Sequence, residues 1–333
     1  MELNNKLTVS ASPHVKSAET TTGIMLDVCI ALLPAGIASI FIFGIRALFV
    51  ILVSVASCVL AEFLSRKAMK REQTIGDLSA VVTGLLLAYN LPSNIPLWEV
   101  AFGAVVAIVV VKQMFGGIGQ NFVNPALLGR IVLLSAFPGK MAAAGYAGLN
   151  QIGWDVEGVT GATPMGLISF REGIADGAPS LMQLFIGTTS GCLGEVSALA
   201  LLLGGLYLIV RKVISPIIPV AYIGTVAIIM AIAFKFDMTA VAYELLGGGL
   251  MIGAIFMATD YTTSPITSKG KWIYAVCCGL LTCVIRLFGS LPEGVSFSII
   301  IMNIFTPLIE NATKPTVFGT VKEKKEKKEA AES

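Results

Sequence analysis

Apolar residues run along this chain in long blocks that short polar stretches separate. Ten blocks can be marked, and most are long enough to cross a bilayer as a helix of about 20 residues. They span residues 24–44, 47–64, 78–91, 95–112, 121–137, 192–210, 213–234, 242–258, 271–288 and 294–310. The pattern predicts an all-α integral membrane protein with about ten transmembrane helices.

Some blocks are too short or too interrupted to form plain spanning helices. The third and the eighth are short and rich in glycine, Pro125 stands near the start of the fifth, and Pro307 lies inside the tenth. Broken helices survive at membrane depth only where protein or a cavity covers the freed backbone groups. We therefore expect several short or broken helices inside the bundle.

The ten blocks divide into two sets of five with the same order of long and short members. Near the end of each set a motif Asn-x-x-(Asn/Thr)-Pro recurs, at residues 121–125 and 303–307. Because five is odd, the second set enters the membrane from the opposite side, as in inverted-repeat folds, which place their sites at the repeat interface. Chance similarity between two apolar stretches is the alternative.

The repeat hypothesis sets the expected organisation of the chain. It gives a cytoplasmic N-terminal segment 1–22, a first five-helix repeat 23–137, a loop 138–191, a second repeat 192–311 and a charged cytoplasmic tail 312–333.

Lysine and arginine are distributed unequally between the connecting segments. They follow the even-numbered blocks, for example at Arg66, Lys112 and Arg211, so these connecting segments lie on one side of the membrane together with both termini. The positive-inside rule makes that side cytoplasmic. The long loop 138–191 then faces outward from a bacterial cytoplasmic membrane.

Only 13% of the residues are charged, about half the share in soluble proteins. The polar residues 1–22 show no cleavable signal-peptide pattern.

The long loop contains the sequence Thr160-Gly161-Ala162-Thr163-Pro164. A threonine hydroxyl between small residues and a proline, on an exposed turn, is an accessible attachment point for a phosphate ester. An ordinary loop is the alternative, since such short sequences are common.

The same loop ends in a glycine-rich stretch that contains Gly191, Gly194 and Glu195, whose free N–H groups would suit a phosphate or a flavin carbonyl. Close helix packing explains such glycines equally well, and Glu195 is either a helix cap or a cofactor ligand.

A second polar group precedes and enters the fifth block. Asn121 and Asn124 lie three residues apart, so a helical turn would place both amides on one face, where they match the hydrogen-bonding edge of an isoalloxazine ring. Arg130 needs a partner or a wet cavity if it lies inside the bilayer. The alternative is that the two amides satisfy backbone freed by Pro125 and that Arg130 forms a salt bridge to another helix.

Acidic residues stand at the ends of some blocks. Asp260 follows the eighth block, Asp77 begins the third, and Asp27 lies one turn into the first. Each either caps a helix or, for Asp77 and Asp260, binds a cation or proton in a cavity. The single histidine and the six cysteines give no zinc, iron–sulfur or hydrolase motif, and no Walker-type loop is present. No catalytic residue is predicted, and the ligands of a transported cation are left unassigned.

The loop motif resembles the Ser/Thr-Gly-Ala-Thr flavin-attachment sequence of the family formed by the D subunit of Rnf complexes and the B subunit of Na+-NQR. The resemblance covers nearly the whole chain and is strongest at residues 12–14, 77–92, 117–130, 160–166, 191–197 and 258–265. Thr160 replaces a common serine, and Tyr261 replaces a proline that often follows the aspartate. The acceptor hydroxyl of Thr163 is retained.

The resemblance implies covalent FMN on Thr163 and a possible second, non-covalent flavin, riboflavin or FMN, in the membrane core. It implies a urea-transporter-like fold and a membrane subunit of an ion-pumping (Na+ or H+) ferredoxin:NAD+ oxidoreductase that passes electrons across the membrane. Partners would be other subunits, including a second covalent-FMN subunit and iron–sulfur subunits, and no nucleic acid. Thr160, Gly161 and Ala162 would surround the attachment site. A channel or secondary transporter without a redox cofactor is the alternative.

Overall fold

The computed structural model describes residues 19–142, 178–189, 191–195, 197–289 and 294–315, and the backbone of residues 168–169 and 173–174. The last two segments, β1 (Ile168–Ser169) and β2 (Gly173–Ile174), form a short antiparallel pair. All other regular structure in the described part of the chain is helical, which confirms the predicted all-α class.

The described ranges contain two sets of helices, six up to residue 142 and seven from residue 181 onward. The first set is α1 (Thr21–Phe43), α2 (Ile45–Ala68), α3 (Ser79–Tyr89), α4 (Leu97–Val105, continued as a π-helical stretch Val106–Gln113), α5 (Pro125–Ala136) and α6 (Pro138–Ala142). The second is α7 (Leu181–Ile186), α8 (Ala198–Val210), α9 (Ile217–Ala233), α10 (Met238–Leu246), α11 (Leu250–Ile252, continued as a π-helical stretch Gly253–Met257), α12 (Ser268–Phe288) and α13 (Val295–Thr313). Each of the ten apolar blocks contains helix.

Length and composition mark a subset of these helices as membrane spans. Within the described residues, α1, α2, α12 and α13 are long and apolar enough to cross a bilayer. Helices α10 and α11 pass the same test as a pair that is bent by 62°. The chain is therefore an all-helical membrane protein with four or five such spans, and α3, α5, α8 and α9 are shorter apolar helices.

Polar side chains fix where several helices begin. The Asp77 carboxylate accepts the N–H of Ser79, the first residue of α3, at 2.8 Å. Leu78 occupies the N-cap position, so the expectation that Asp77 is the cap of α3 is wrong. Ser197, and not Glu195, caps α8, which corrects the capping alternative for that glutamate. Asp27 does not cap α1, because its carboxylate instead accepts from the Tyr207 hydroxyl and pairs with Arg211 at the end of α8.

Small residues allow the helices to approach closely. A Cβ on Gly204 of α8 would lie 2.1 Å from the carbonyl oxygen of Ala31 in α1, and one on Gly84 of α3 would lie 2.7 Å from Cα of Val55 in α2. Helix association inside a membrane depends on such backbone approach. Large apolar side chains, Phe41 among them, are exposed on the outer faces of the helices, as lipid contact requires.

Replacing Gly204 by alanine is expected to destabilise the protein by about 1–3 kcal/mol, because the added methyl group collides with the α1 backbone. Gly224→Ala is the matched control, since nothing lies within 4 Å of a Cβ at that helical position. Thermal denaturation in detergent measures both variants. Equal midpoints for the two would contradict the close α1–α8 contact.

Candidate functional site

A cavity of about 400 Å³ lies between the start of α1, α3, the start of α5 and the chain that follows α11. We call it the α3–α5 cavity. Apolar side chains, including Val82, Leu86 and Phe256, form much of its wall. Its polar lining includes Ser79, Thr83, Lys112, Asn121, Asn124 and Asp260. This size and this mixture are typical of small-molecule sites, which measure about 300–1,000 Å³.

The two asparagines reach the cavity from a loop. Asn124 is the N-cap of α5, where its Oδ1 accepts the N–H of Ala126 at 3.1 Å and its Nδ2 donates to the backbone oxygen of Met257 at 3.3 Å. Asn121 Nδ2 donates to the backbone oxygen of Val123 at 3.1 Å. Residues 121–124 are not helical, so the expected alignment of both amides by one helical turn is wrong. The amide alternative, in which Asn124 satisfies backbone near Pro125, is confirmed.

Asp260 lies against the same cavity just after the α11 stretch. Its Oδ2 accepts the Thr263 hydroxyl at 3.1 Å. Burial raises the pKa of the Asp260 carboxyl, while hydrogen bonds from Thr263, Thr262 and Asn121 act in the opposite direction. A raised pKa favours the neutral carboxyl, which donates a hydrogen bond as well as accepting one.

Lys112 joins the cavity to a buried cluster of polar groups. Its Nζ lies 2.8 Å from Oε2 of Glu62 and 2.6 Å from Oγ of Ser79. The other oxygen of Glu62 accepts the Thr74 hydroxyl at 2.8 Å and Nε2 of Gln113 at 2.9 Å. Glu62 and Gln113 are fully buried and Lys112 is nearly so. Pairing is what allows these charges to lie at such depth.

Sequence reasoning did not single out this cluster. The charge pattern uses Lys112 only to orient the helices, and it gives no role to Glu62, Ser79 or Gln113. The available signal was the presence of a glutamate inside the apolar block 47–64, because an ionisable residue in a membrane segment is a functional candidate by default. Its partner lies 50 positions away, and no local pattern indicates that distance.

Arg130 is the centre of a second buried network. Its Nη2 lies 3.5 Å from Oε1 of Glu195 and 3.9 Å from Sγ of Cys192. Its Nη1 donates to Oγ of Ser296 at 2.8 Å and to Oδ1 of Asn90 at 3.1 Å. Arg130 thus forms the expected salt bridge, although its partner Glu195 lies in the turn before α8 and not in another helix. One guanidinium ties the end of α3, α5, the chain before α8 and α13 together.

The glycine-rich stretch pairs with the chain that follows α3. The N–H groups of residues 193–195 donate to the backbone oxygens of Leu91 (3.0 Å), Tyr89 (2.8 Å) and Cys192 (3.1 Å) respectively. These groups are therefore not free to bind a phosphate. A Cβ at Gly194 would lie 2.3 Å from Cβ of Tyr89, so close packing explains this glycine.

The structure divides the predicted site residues between these two places. Asn121, Asn124 and Asp260 line the α3–α5 cavity, whereas Arg130, Gly194 and Glu195 belong to the second network and Gly191 lies beside it. Met257 connects the places, since Asn124 contacts its carbonyl and Asn90 Nδ2 lies 3.6 Å from its sulfur. Thr160, Gly161, Ala162 and Thr163 lie outside the described residues.

Comparison with known proteins identifies the family. The sequence profile of the NQR2, RnfD, RnfE family matches residues 8–319. The chain belongs to this family.

Curated relatives match along nearly the full chain. The D subunit of the Na(+)-translocating ferredoxin:NAD(+) oxidoreductase complex of Acetobacterium woodii is 48% identical, over 98% of this chain and 99% of its own length. The D subunit of the proton-translocating ferredoxin:NAD(+) oxidoreductase complex of Clostridium ljungdahlii is 42% identical, over 95% and 97%. The D subunit of the ion-translocating oxidoreductase complex of Stutzerimonas stutzeri is 37% identical, over 89% and 91%. Family membership and apolar helices together make the chain a multi-pass bacterial membrane protein.

Removing Arg130 is expected to destabilise this family member strongly. Arg130→Met leaves Glu195 as a buried, unpaired carboxylate, which costs about 3–5 kcal/mol. The double variant Arg130→Met/Glu195→Gln should recover part of that loss, since no charge remains. Labelling of the buried cysteines by a thiol dye during heating reports unfolding.

The Arg211–Asp27 pair supplies the control, because the Arg211 side chain is 57% exposed. Arg211→Met should shift the unfolding midpoint little, since exposed ion pairs stabilise weakly. A midpoint for Arg130→Met as high as that of Arg211→Met would show that the buried pair does not hold the network.

Proposed function

We propose that this chain is the membrane subunit of an ion-pumping ferredoxin:NAD+ oxidoreductase, in which it carries covalent FMN on Thr163 and passes electrons across the membrane. Family membership and the names of the relatives support this assignment. Those names include both Na+ and proton translocation, so the pumped ion is one of the two. Other subunits of the same complex, including a second covalent-FMN subunit and iron–sulfur subunits, would complete the enzyme. The chain is not catalytic alone.

The α3–α5 cavity is the observation on which the redox role rests. We assign to it the non-covalent flavin, riboflavin or FMN. Val82, Leu86 and Phe256 offer apolar surface to a ring system, and Asn121 and Asp260 offer donors and acceptors to its polar edge. Flavins supply one- and two-electron transfer when bound, and the protein binds and orients the ring and sets its electrostatic surroundings.

The proposed sidedness rests on the antiparallel contact of α1 and α8. Asp27 near the start of α1 pairs with Arg211 at the end of α8, and Gly204 lies against Ala31. The two helices therefore run in opposite directions, and α8 begins at the face opposite the start of α1. A flavin on the loop before α8 would then face outward if the N-terminus is cytoplasmic.

Two inverted five-helix repeats remain our proposal for the whole bundle. In this arrangement α1 to α5 correspond to α8, α9, the bent pair α10–α11, α12 and α13. An aspartate at the start of α3 and of α10 supports the correspondence. Asp77 accepts the N–H of Ser79 at 2.8 Å just before α3, and Asp237, the N-cap of α10, accepts the N–H of Thr239 at 2.9 Å. The two Asn-x-x-(Asn/Thr)-Pro motifs differ locally, since Pro125 begins α5 whereas Pro307 lies inside α13.

Covalent attachment is tested in the assembled complex from the native host. Under denaturing electrophoresis, the band of this chain should show flavin fluorescence that Thr163→Ala abolishes. Thr160→Ala is the matched control and should keep the fluorescence, because it leaves the acceptor hydroxyl in place. A colourless wild-type band from flavin-sufficient cells would favour the channel or transporter alternative.

The cavity assignment is tested by filling the space. Val28→Trp places a bulky ring in the α3–α5 cavity and should reduce acid-extractable flavin per chain at least about tenfold. Leu33→Trp on the same helix is the control, because Leu33 is exposed on the outer face. Extracted flavin is quantified by chromatography against the amount of protein. If both variants contain the same amount of flavin, the assignment of the flavin to this cavity is wrong.

A further inference from the structure

The ammonium group of Lys112 has one donor left over. An ammonium carries three N–H donors, and two of them are directed to Oε2 of Glu62 and Oγ of Ser79. Ser79 Oγ in turn donates to the Asp77 carboxylate. Among the described residues no third acceptor contacts Lys112 Nζ, and the side chain lines the α3–α5 cavity. The third N–H is thus available to whatever occupies that cavity.

Glu62, which does not line the cavity, fixes the position of this ammonium group. Both oxygens of Glu62 are occupied, by Lys112 on one side and by Thr74 and Gln113 on the other, and Arg66 lies 3.8 Å away. A carboxylate fixed by four groups cannot turn away from Lys112 without losing buried hydrogen bonds. The position of the charge relative to the cavity is therefore set by α2 and α4 before any ligand binds.

Lys112 also dominates the charge that faces the cavity. Among the described lining residues, Lys112 and Asp260 are the two of the types Asp, Glu, Lys and Arg. Asp260 is partly satisfied by Thr263, whereas Lys112 has a free donor. An occupant that gains negative charge therefore meets one fixed cation.

We propose that Lys112 donates its third N–H to the flavin ring in the α3–α5 cavity and raises the reduction potential of that ring, and that Glu62 limits this increase by partly neutralising the ammonium charge. This inference rests on the proposed function, which places a flavin there. Lys112 touches the cofactor, and Glu62 is a positioning residue that acts through Lys112.

The sign of each effect follows from electrostatics. Reduction adds electrons, and any electron that no proton accompanies leaves negative charge on the ring. A fixed cation favours that charged form, with an interaction that is stronger inside the protein than in water. Removing the cation lowers the potential. Removing the Glu62 charge while keeping Lys112 raises it. A purely structural role for the pair would not give shifts of opposite sign.

The test uses the full chain with Thr163→Ala, so that every bound flavin is non-covalent. The protein is loaded with riboflavin in lipid nanodiscs and titrated spectroelectrochemically with mediators. Lys112→Met should weaken the preference for the reduced ring at least about tenfold, a downward shift of about 30 mV for a two-electron couple. Glu62→Gln should shift the midpoint upward, and Lys112→Arg should stay near the parent value. Lys269→Met, at an exposed lysine that does not line the cavity, should leave the midpoint unchanged.

The possible outcomes separate the two proposals. If the Thr163→Ala parent binds no extractable riboflavin, the flavin assignment to the cavity fails and this inference fails with it. If flavin binds and Lys112→Met keeps the parent midpoint, or Lys112→Met and Glu62→Gln shift it in the same direction, the Lys112 inference alone is overturned. If Lys112→Met no longer binds oxidised riboflavin, the Glu62→Gln variant alone tests the Lys112 inference. A midpoint potential of Glu62→Gln that is lower than or equal to that of the parent overturns the inference.

Discussion

A charge buried between apolar helices is costly unless a counter-charge lies nearby, because water is not available to solvate it. Three glutamates of this protein meet that requirement with a cation from a distant part of the chain. The pairs are Glu62–Lys112, Glu195–Arg130 and Glu244–Arg286. They tie α2 to α4, the chain before α8 to α5, and α10 to α12. The arrangement of the bundle interior follows from these connections.

Each pair makes further hydrogen bonds with neighbouring groups. Arg130 satisfies Asn90 at the end of α3 and Ser296 in α13, and Arg286 donates to both the backbone oxygen and the carboxylate of Glu244. Short and broken helices end near these groups. Polar side chains at helix ends thus replace the backbone partners that a continuous helix would supply, which is why interrupted helices persist at this depth.

The α3–α5 cavity lies beside one such network. Some of its polar residues therefore both stabilise the fold and line the cavity. Asn124 caps α5 and contacts Met257, and the same residue lines the cavity. Lys112 neutralises Glu62 and reaches the cavity with a remaining donor. Residues that stabilise the fold therefore also define the chemistry of the site, and substitutions there need readouts that separate stability from binding.

Hydrophobic periodicity and short motifs are local properties of a chain, and they are sufficient here to predict the helical class, the ten apolar blocks and the family. Asn121, Asn124 and Asp260 were recognised as polar groups at block ends, and the structure places them at one cavity. The tertiary structure alone decided that Arg130 and Glu195 form a separate network, that Asp27 pairs across to α8, and that Glu62 with Lys112 borders the cavity. Partners 50 to 184 positions apart leave no periodic signal. Only folding brings such charges within a few ångströms of each other, and for the buried pairs desolvation makes an unpaired partner costly.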